Sequence, residues 1–111
     1  MDFLDVQRDV IAFRDERDWK QFHNPKDLAI SINLEAAELL ECFQWSGADT
    51  AAAAKRDAML EELADVMILC VNMADVLGAD PVEIMAAKLA KNAAKYPVDK
   101  ARGSAKKYTE L

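Results

Sequence analysis

Two short acidic motifs carry the residues of this sequence that are best suited to chemistry. Glu35-Ala-Ala-Glu38 and Glu62-Leu-Ala-Asp65 each set two carboxylates three residues apart. In a helix that spacing puts both on one face, about a turn from each other. Their neighbours Leu34, Leu39, Leu63, Val66, Met67, Ile68 and Leu69 are apolar, so the acids border faces expected to turn inward. Four carboxylates do not share a low-dielectric interior without a cationic partner. Mg²⁺ meets that need, because it takes oxygen ligands and keeps positions for substrate phosphates. The plainer alternative is a solvated acidic stripe, the usual role of helical Glu. Asp65 weighs against it, since Asp is a poor interior helix former and here stands inside an apolar run. Glu41 and Glu61 need not share the face of the pairs, because a step of three drifts around the helix by about 60°.

The rest of the donor inventory narrows the ion. There is one His and no Cys-x-x-Cys, which leaves zinc without its usual ligands. Di-iron carboxylate bundles use two Glu-x-x-His motifs, and this chain has none. An all-carboxylate set suits Mg²⁺ or Mn²⁺, whose common work is on phosphate oxygens and bound water.

Two further groups could serve such an ion's substrate. Trp19-Lys20-Gln21-Phe22-His23 precedes the first acidic segment and Trp45 follows it. They read either as core capping or as a slot where a flat base stacks, with His23 a polar contact or a packing residue. Lys88, Asn92 and Lys95 fall on one helix face. They make either a solvated basic face or a phosphate-binding one, and Asn92 can both donate and accept.

Four helices are expected to position these residues. The first runs from Asp2 to Asp18, with Phe3, Leu4, Val6, Val10, Ile11 and Phe13 as its core stripe. Asn24-Pro25 starts the second, which reaches about Gln44 with Leu28, Ile32, Leu39 and Leu40 as core positions. The segment Trp45 to Thr50 is a loop. The third is alanine-rich at first and continues to about Leu77, apolar nearly all round, as befits a bundle centre or an oligomer interface. Gly78 stops it. Asp80-Pro81-Val82-Glu83 resembles a capping box and opens the fourth, which runs to about Ala94 before Pro97. A basic, irregular tail follows from Val98 to Leu111. The fold class is therefore all-α: a four-helix bundle-type subunit in one domain spanning residues 1–111, assembled into a helical homo-oligomer.

The 111 residues include only three Gly and three Pro, which leaves little room for turn-rich β architecture. No apolar run is long enough for a membrane span. The start lacks a basic n-region, so the cytoplasm is the expected compartment. Cys42 and Cys70 lie in apolar helical stretches and are expected to be small buried thiols, without a disulfide. The net charge of −6 divides unevenly. Residues 1–87 carry 7 Lys/Arg against 18 Asp/Glu, a balance of −11, and residues 88–111 carry 7 against 2, a balance of +5. That is not the surface of a nucleic-acid-polymer binder, but it suits a meeting of metal-binding acids and phosphate-binding bases.

The ordered set Arg17-Asp-Trp-Lys-Gln-Phe-His23, Leu34-Glu-Ala-Ala-Glu-Leu-Leu-Glu41, Phe43-Gln-Trp45, Glu61-Glu-Leu-Ala-Asp-Val66, Lys91-Asn92, Lys95-Tyr-Pro97 and Arg102-Gly-Ser-Ala-Lys-Lys-Tyr-Thr-Glu-Leu111 resembles the all-α nucleoside triphosphate pyrophosphohydrolases of the MazG-like group. It looks most like the dCTP pyrophosphatase branch. The resemblance implies Mg²⁺-dependent cleavage between the α and β phosphates, yielding a monophosphate and pyrophosphate. It implies Glu35, Glu38, Glu62 and Asp65 as metal ligands, with Glu35 and Glu38 catalytic. Trp19, Lys20, Gln21, Phe22, His23 and Trp45 would bind base and sugar, and Lys88, Asn92 and Lys95 would hold phosphates or sugar. A homotetramer built as a dimer of dimers is also implied. Where the wider family often has a second Glu this chain has Leu34, and where the branch often has a Tyr and a His it has Leu69 and Val10. The competing readings are a dUTPase-like hydrolase with another base preference and a non-enzymatic helical oligomerisation or regulatory module.

Overall fold

The computed structural model describes every residue from Met1 to Leu111, and all its regular structure is helical. Residues Met1–Gly78 form one compact unit and Ala79–Leu111 a second. Three long helices make the first unit: α1 (Phe3–Glu16), α2 (Pro25–Glu41) and α3 (Arg56–Val76). Helix α2 lies along α3 as the principal packing pair, and α1 packs on α3.

Local chemistry sets these boundaries. Asp2 and Asp5 close a reciprocal capping box at the start of α1, with N–H···O distances of 2.9 and 3.1 Å. Its end is a tight reversal in which the Arg14 carbonyl accepts from both Arg17 N–H and Trp19 N–H, while Asp18 takes a positive φ of 55°. A single 3₁₀ turn, Lys20–Phe22, leads to Asn24, whose side chain accepts from Asp27 N–H at 2.9 Å with Pro25 at the first helical position. Helix α2 stops at Glu41, three residues short of the expected Gln44, and its last carbonyls are taken up by successive turns. The connection to α3 holds two non-glycine residues at positive φ, Trp45 and Ala52. Asp49 Oδ1 supports the second of these by accepting from the Ala51 and Ala52 N–H groups.

The buried apolar set is small: Leu28, Cys42, Ala52, Val71 and Ala74. Several expected core positions prove exposed. Phe3, Leu4, Val6 and Phe13 on α1 and Leu40 on α2 are open, and α1 packs on α3 far less extensively than α2 does. Cys42 is buried as expected, whereas Cys70 is exposed; neither forms a disulfide. Helix α3 is apolar on most sides, yet Leu60, Leu63, Met67 and Ile68 are exposed.

In the second unit, Asp80 caps α4 (Pro81–Lys95) by accepting from Val82 N–H and Glu83 N–H. A short helix, α5 (Val98–Ala101), and a final 3₁₀ turn, Tyr108–Glu110, give the tail more order than its sequence announced. That tail returns to the end of α4: the Tyr108 ring meets Tyr96 edge-on, and Lys95 Nζ lies 4.8 Å from the Tyr108 ring centre. No helix is long and apolar enough to cross a membrane.

Candidate functional site

The pairing of α2 with α3 brings the two acidic motifs face to face. Glu35, Glu62 and Asp65 each offer a carboxylate oxygen, and these three oxygens lie within 4.8 Å of one another. Glu35 and Glu62 are half-buried. In each, Oε2 is sealed from solvent and has no hydrogen-bond partner. Glu38, expected as the fourth ligand, is exposed and is not one of the three, but it lies close enough to Glu35 and Glu62 to act on both. Its proximity is the largest cause of a Glu62 carboxyl pushed up to about 7, followed by burial and then by Glu35 and Asp65. Burial first, and then Glu38 and Asp65, also raises Glu35. Like charges at this range cannot all ionise unaided.

Sealed, unpartnered carboxylate oxygens are not what a solvated acidic stripe presents. They are what a cation site presents, because a divalent ion supplies the missing partner and removes the repulsion. The donors are oxygen alone, which fits Mg²⁺ or Mn²⁺ better than a softer metal.

Glu35 and Asp65 open onto a cavity of about 470 Å³, a size typical of small-molecule sites. One wall comes from α1 through Val6, Val10 and Phe13, and another from α3 through Ile68 and Leu69. Trp19 stands at one side, packed edge-on against Phe13 with 5.7 Å between ring centres. His23 reaches the same space with Nδ1 unpartnered. Burial, and then the positive charge of Arg14, lowers the His23 pKa and favours the neutral imidazole.

Arg14 was not singled out by sequence. It is 3% exposed and bridges α1 to α3 through Asp75 at 2.6 Å, with Asp15 on its other side at 2.9 Å. Burial works against its charge, but the two carboxylates outweigh that and raise its pKa. Asn72, 4% exposed, is the other unanticipated residue at the cavity. A signal for it existed: a lone amide inside the same apolar run as Asp65, seven residues on.

The remaining predicted residues are placed as follows. Phe22 lines a smaller recess beside Trp19 and His23, with Asp27, Leu28, Ser31 and Leu69. Lys20 is exposed, and Gln21 turns back to bond Asp18. Trp45 does not line the acidic cavity; it is 92% exposed and borders a separate groove near Cys42 and Asp49. Lys88, Asn92 and Lys95 lie on α4 in the second unit, with Asn92 half-buried and the two lysines exposed. Leu69 and Val10 both line the cavity, whereas Leu34 is exposed.

A helical pair with facing Glu-x-x-Glu and Glu-x-x-Asp motifs beside a ligand-sized cavity defines a class, and comparison of the sequence gives it a family. Residues 30–111 match the MazG-like family, and the chain belongs to it. It is 38% identical to dCTP pyrophosphatase 1 of Homo sapiens and 41% identical to that of Rattus norvegicus, in each case over 96% of this chain and 66% of the relative. The chain thus spans just under two thirds of the length of these mammalian relatives. Among solved structures it is similar to a pyrophosphatase from Archaeoglobus fulgidus, with a TM-score of 0.70 and 43% identity over 85% of this chain and 88% of that one.

Proposed function

We propose that this protein is a nucleoside triphosphate pyrophosphohydrolase that cleaves dCTP, or a modified dCTP, to the monophosphate and pyrophosphate. The observation that carries the reading is the trio Glu35, Glu62 and Asp65, with two sealed and unpartnered oxygens, beside a cavity of about 470 Å³ that Glu35 and Asp65 line. The pyrophosphatase relatives support it.

Glu35, Glu38, Glu62 and Asp65 would hold Mg²⁺, or Mn²⁺ in its place. Once bound, such an ion supplies charge neutralisation at the phosphate oxygens. The side chains of this chain do the rest. Glu35 and Glu38 orient the attacking water and accept its proton. Trp19, Phe22 and His23 bound the space for base and sugar, with Lys20 and Gln21 assigned to the same end; Trp45, in its separate groove, is not used in this subunit's cavity. Lys88, Asn92 and Lys95 bind phosphate or sugar. Fixing the substrate and matching charge on the phosphates supply most of the rate in reactions of this kind. The protein works as a homotetramer of four-helix bundle-type subunits, a dimer of dimers, in the cytoplasm. The exposed apolar side chains of α3 support that assembly.

The test is kinetic. Glu38→Gln and Asp65→Asn are each expected to lower kcat for dCTP at least about a hundredfold, with helical circular dichroism unchanged. Full activity in both variants sinks the assignment.

A further inference from the structure

The face of α3 that carries Glu62 and Asp65 continues through Leu69 to Asn72, in steps of three, four and three residues. Asn72 lies seven residues beyond Asp65, about 10 Å along the helix axis. The same cavity is lined by Glu35 and Asp65 and by Asn72, so a nucleotide with its phosphates at the acids and its base in the cavity brings that base beside Asn72, among apolar and aromatic walls.

The Asn72 amide has a determined direction. Its Nδ2 donates to the Ile68 carbonyl at 3.1 Å. Reversing the amide would set oxygen against oxygen, so the network fixes which end is which. Oδ1 is left buried and accepts from nothing. An unpaired buried carbonyl is destabilising, and for packing alone an apolar side chain of the same volume would serve better. Arg14 does not meet this need, being engaged by Asp15 and Asp75. His23 Nδ1 is also unpartnered at this cavity, but an imidazole nitrogen presents itself as donor or acceptor and does not choose between bases. Asp9 lines the cavity as an exposed acid. An amide oxygen only accepts.

We propose that Asn72 is a specificity-determining residue, its Oδ1 accepting a hydrogen bond from the exocyclic amine of a cytosine-type base. Uracil and thymine carry a carbonyl at that position and would face it acceptor to acceptor. The proposal rests on the nucleotide-hydrolase reading above and extends it to one atom.

The experiment compares dCTP with dUTP for the wild type and for Asn72→Leu, which keeps the volume and removes the acceptor. The wild type is expected to prefer dCTP in kcat/KM, and the variant to narrow that preference by roughly tenfold or more, partly through recovered dUTP turnover. An active Asn72→Leu that keeps the full preference overturns the role of Asn72 and leaves the reaction class standing. A wild type that turns over neither nucleotide defeats both. Calorimetric titration with dCMP and dUMP keeps the test open if Asn72→Leu is folded but inactive: dCMP is expected to bind the wild type more tightly and the variant with a reduced margin, and equal affinities in the wild type or an unchanged margin in the variant overturn the proposal.

Discussion

Glu62 concentrates the electrostatic logic of the site in one side chain. Its carboxyl stands at about 7 against an ordinary 4.5, raised by Glu38, by burial and by the other two acids. A group whose pKa is higher in the folded than in the unfolded state binds its proton more tightly when folded. Its contribution to stability is complete below pH 4.5 and disappears as pH rises toward 7. In EDTA, the melting temperature of the wild type should therefore fall between pH 5 and pH 8 more steeply than that of Glu62→Gln. Millimolar Mg²⁺ should flatten the difference, because the cation takes over from the proton and binds only the native site. Parallel pH profiles for the two proteins, with and without Mg²⁺, would show that the quartet is not coupled in this way. The direction of the effect is opposite to that of ordinary surface carboxylates, which stabilise a fold as they ionise.

Among the elements, α3 has two duties, and the Arg14–Asp75 pair shows how they are joined. One face carries Glu62 in the acid cluster and presents Asp65, Leu69 and Asn72 to the cavity, while Asp75 holds α1 in place through Arg14. Asp75 is 38% exposed on its side chain, so its own loss is softened by water, but Arg14 is nearly fully buried and retains only Asp15. Asp75→Ala is expected to lower stability by about 2 kcal/mol in urea unfolding, and Asp15→Ala by less; equal small effects would remove the pair from the list of α1's attachments. The helices themselves were legible in sequence from Asn24-Pro25, Asp80-Pro81 and Gly78, which act through local caps and backbone freedom. The meeting of Glu35 with Glu62 and Asp65 was legible too, since spacing and apolar context force those acids to one seam. Arg14 and Asn72 were not found. Burial of a polar residue depends on which helix lies opposite, and periodicity within one helix does not reveal its neighbour. The same limitation explains the exposed Cys70 and the open face of α1.

For the whole molecule, the imbalance lies between a small buried core and a large apolar surface. Few large side chains are fully enclosed, while Leu60, Leu63 and Met67 recur along one side of α3 in the open. Patches of that kind on a folded domain mark association surfaces. A second copy of the chain on that side of α3 is the occupant in the proposed tetramer. Light scattering of the wild type at micromolar concentration is expected to report a mass above that of the 12.3 kDa chain, and Met67→Glu to reduce it. A monomeric wild type would exclude the assembly. The link from Arg14 to Asp75 has a kinetic meaning as well. It joins residues 61 positions apart, whereas α2 and α3 are near neighbours in the chain, and long loops close late in folding. The acids are thus joined by helices close in the chain, while the cavity they serve takes its wall from α1, fastened across most of the first unit.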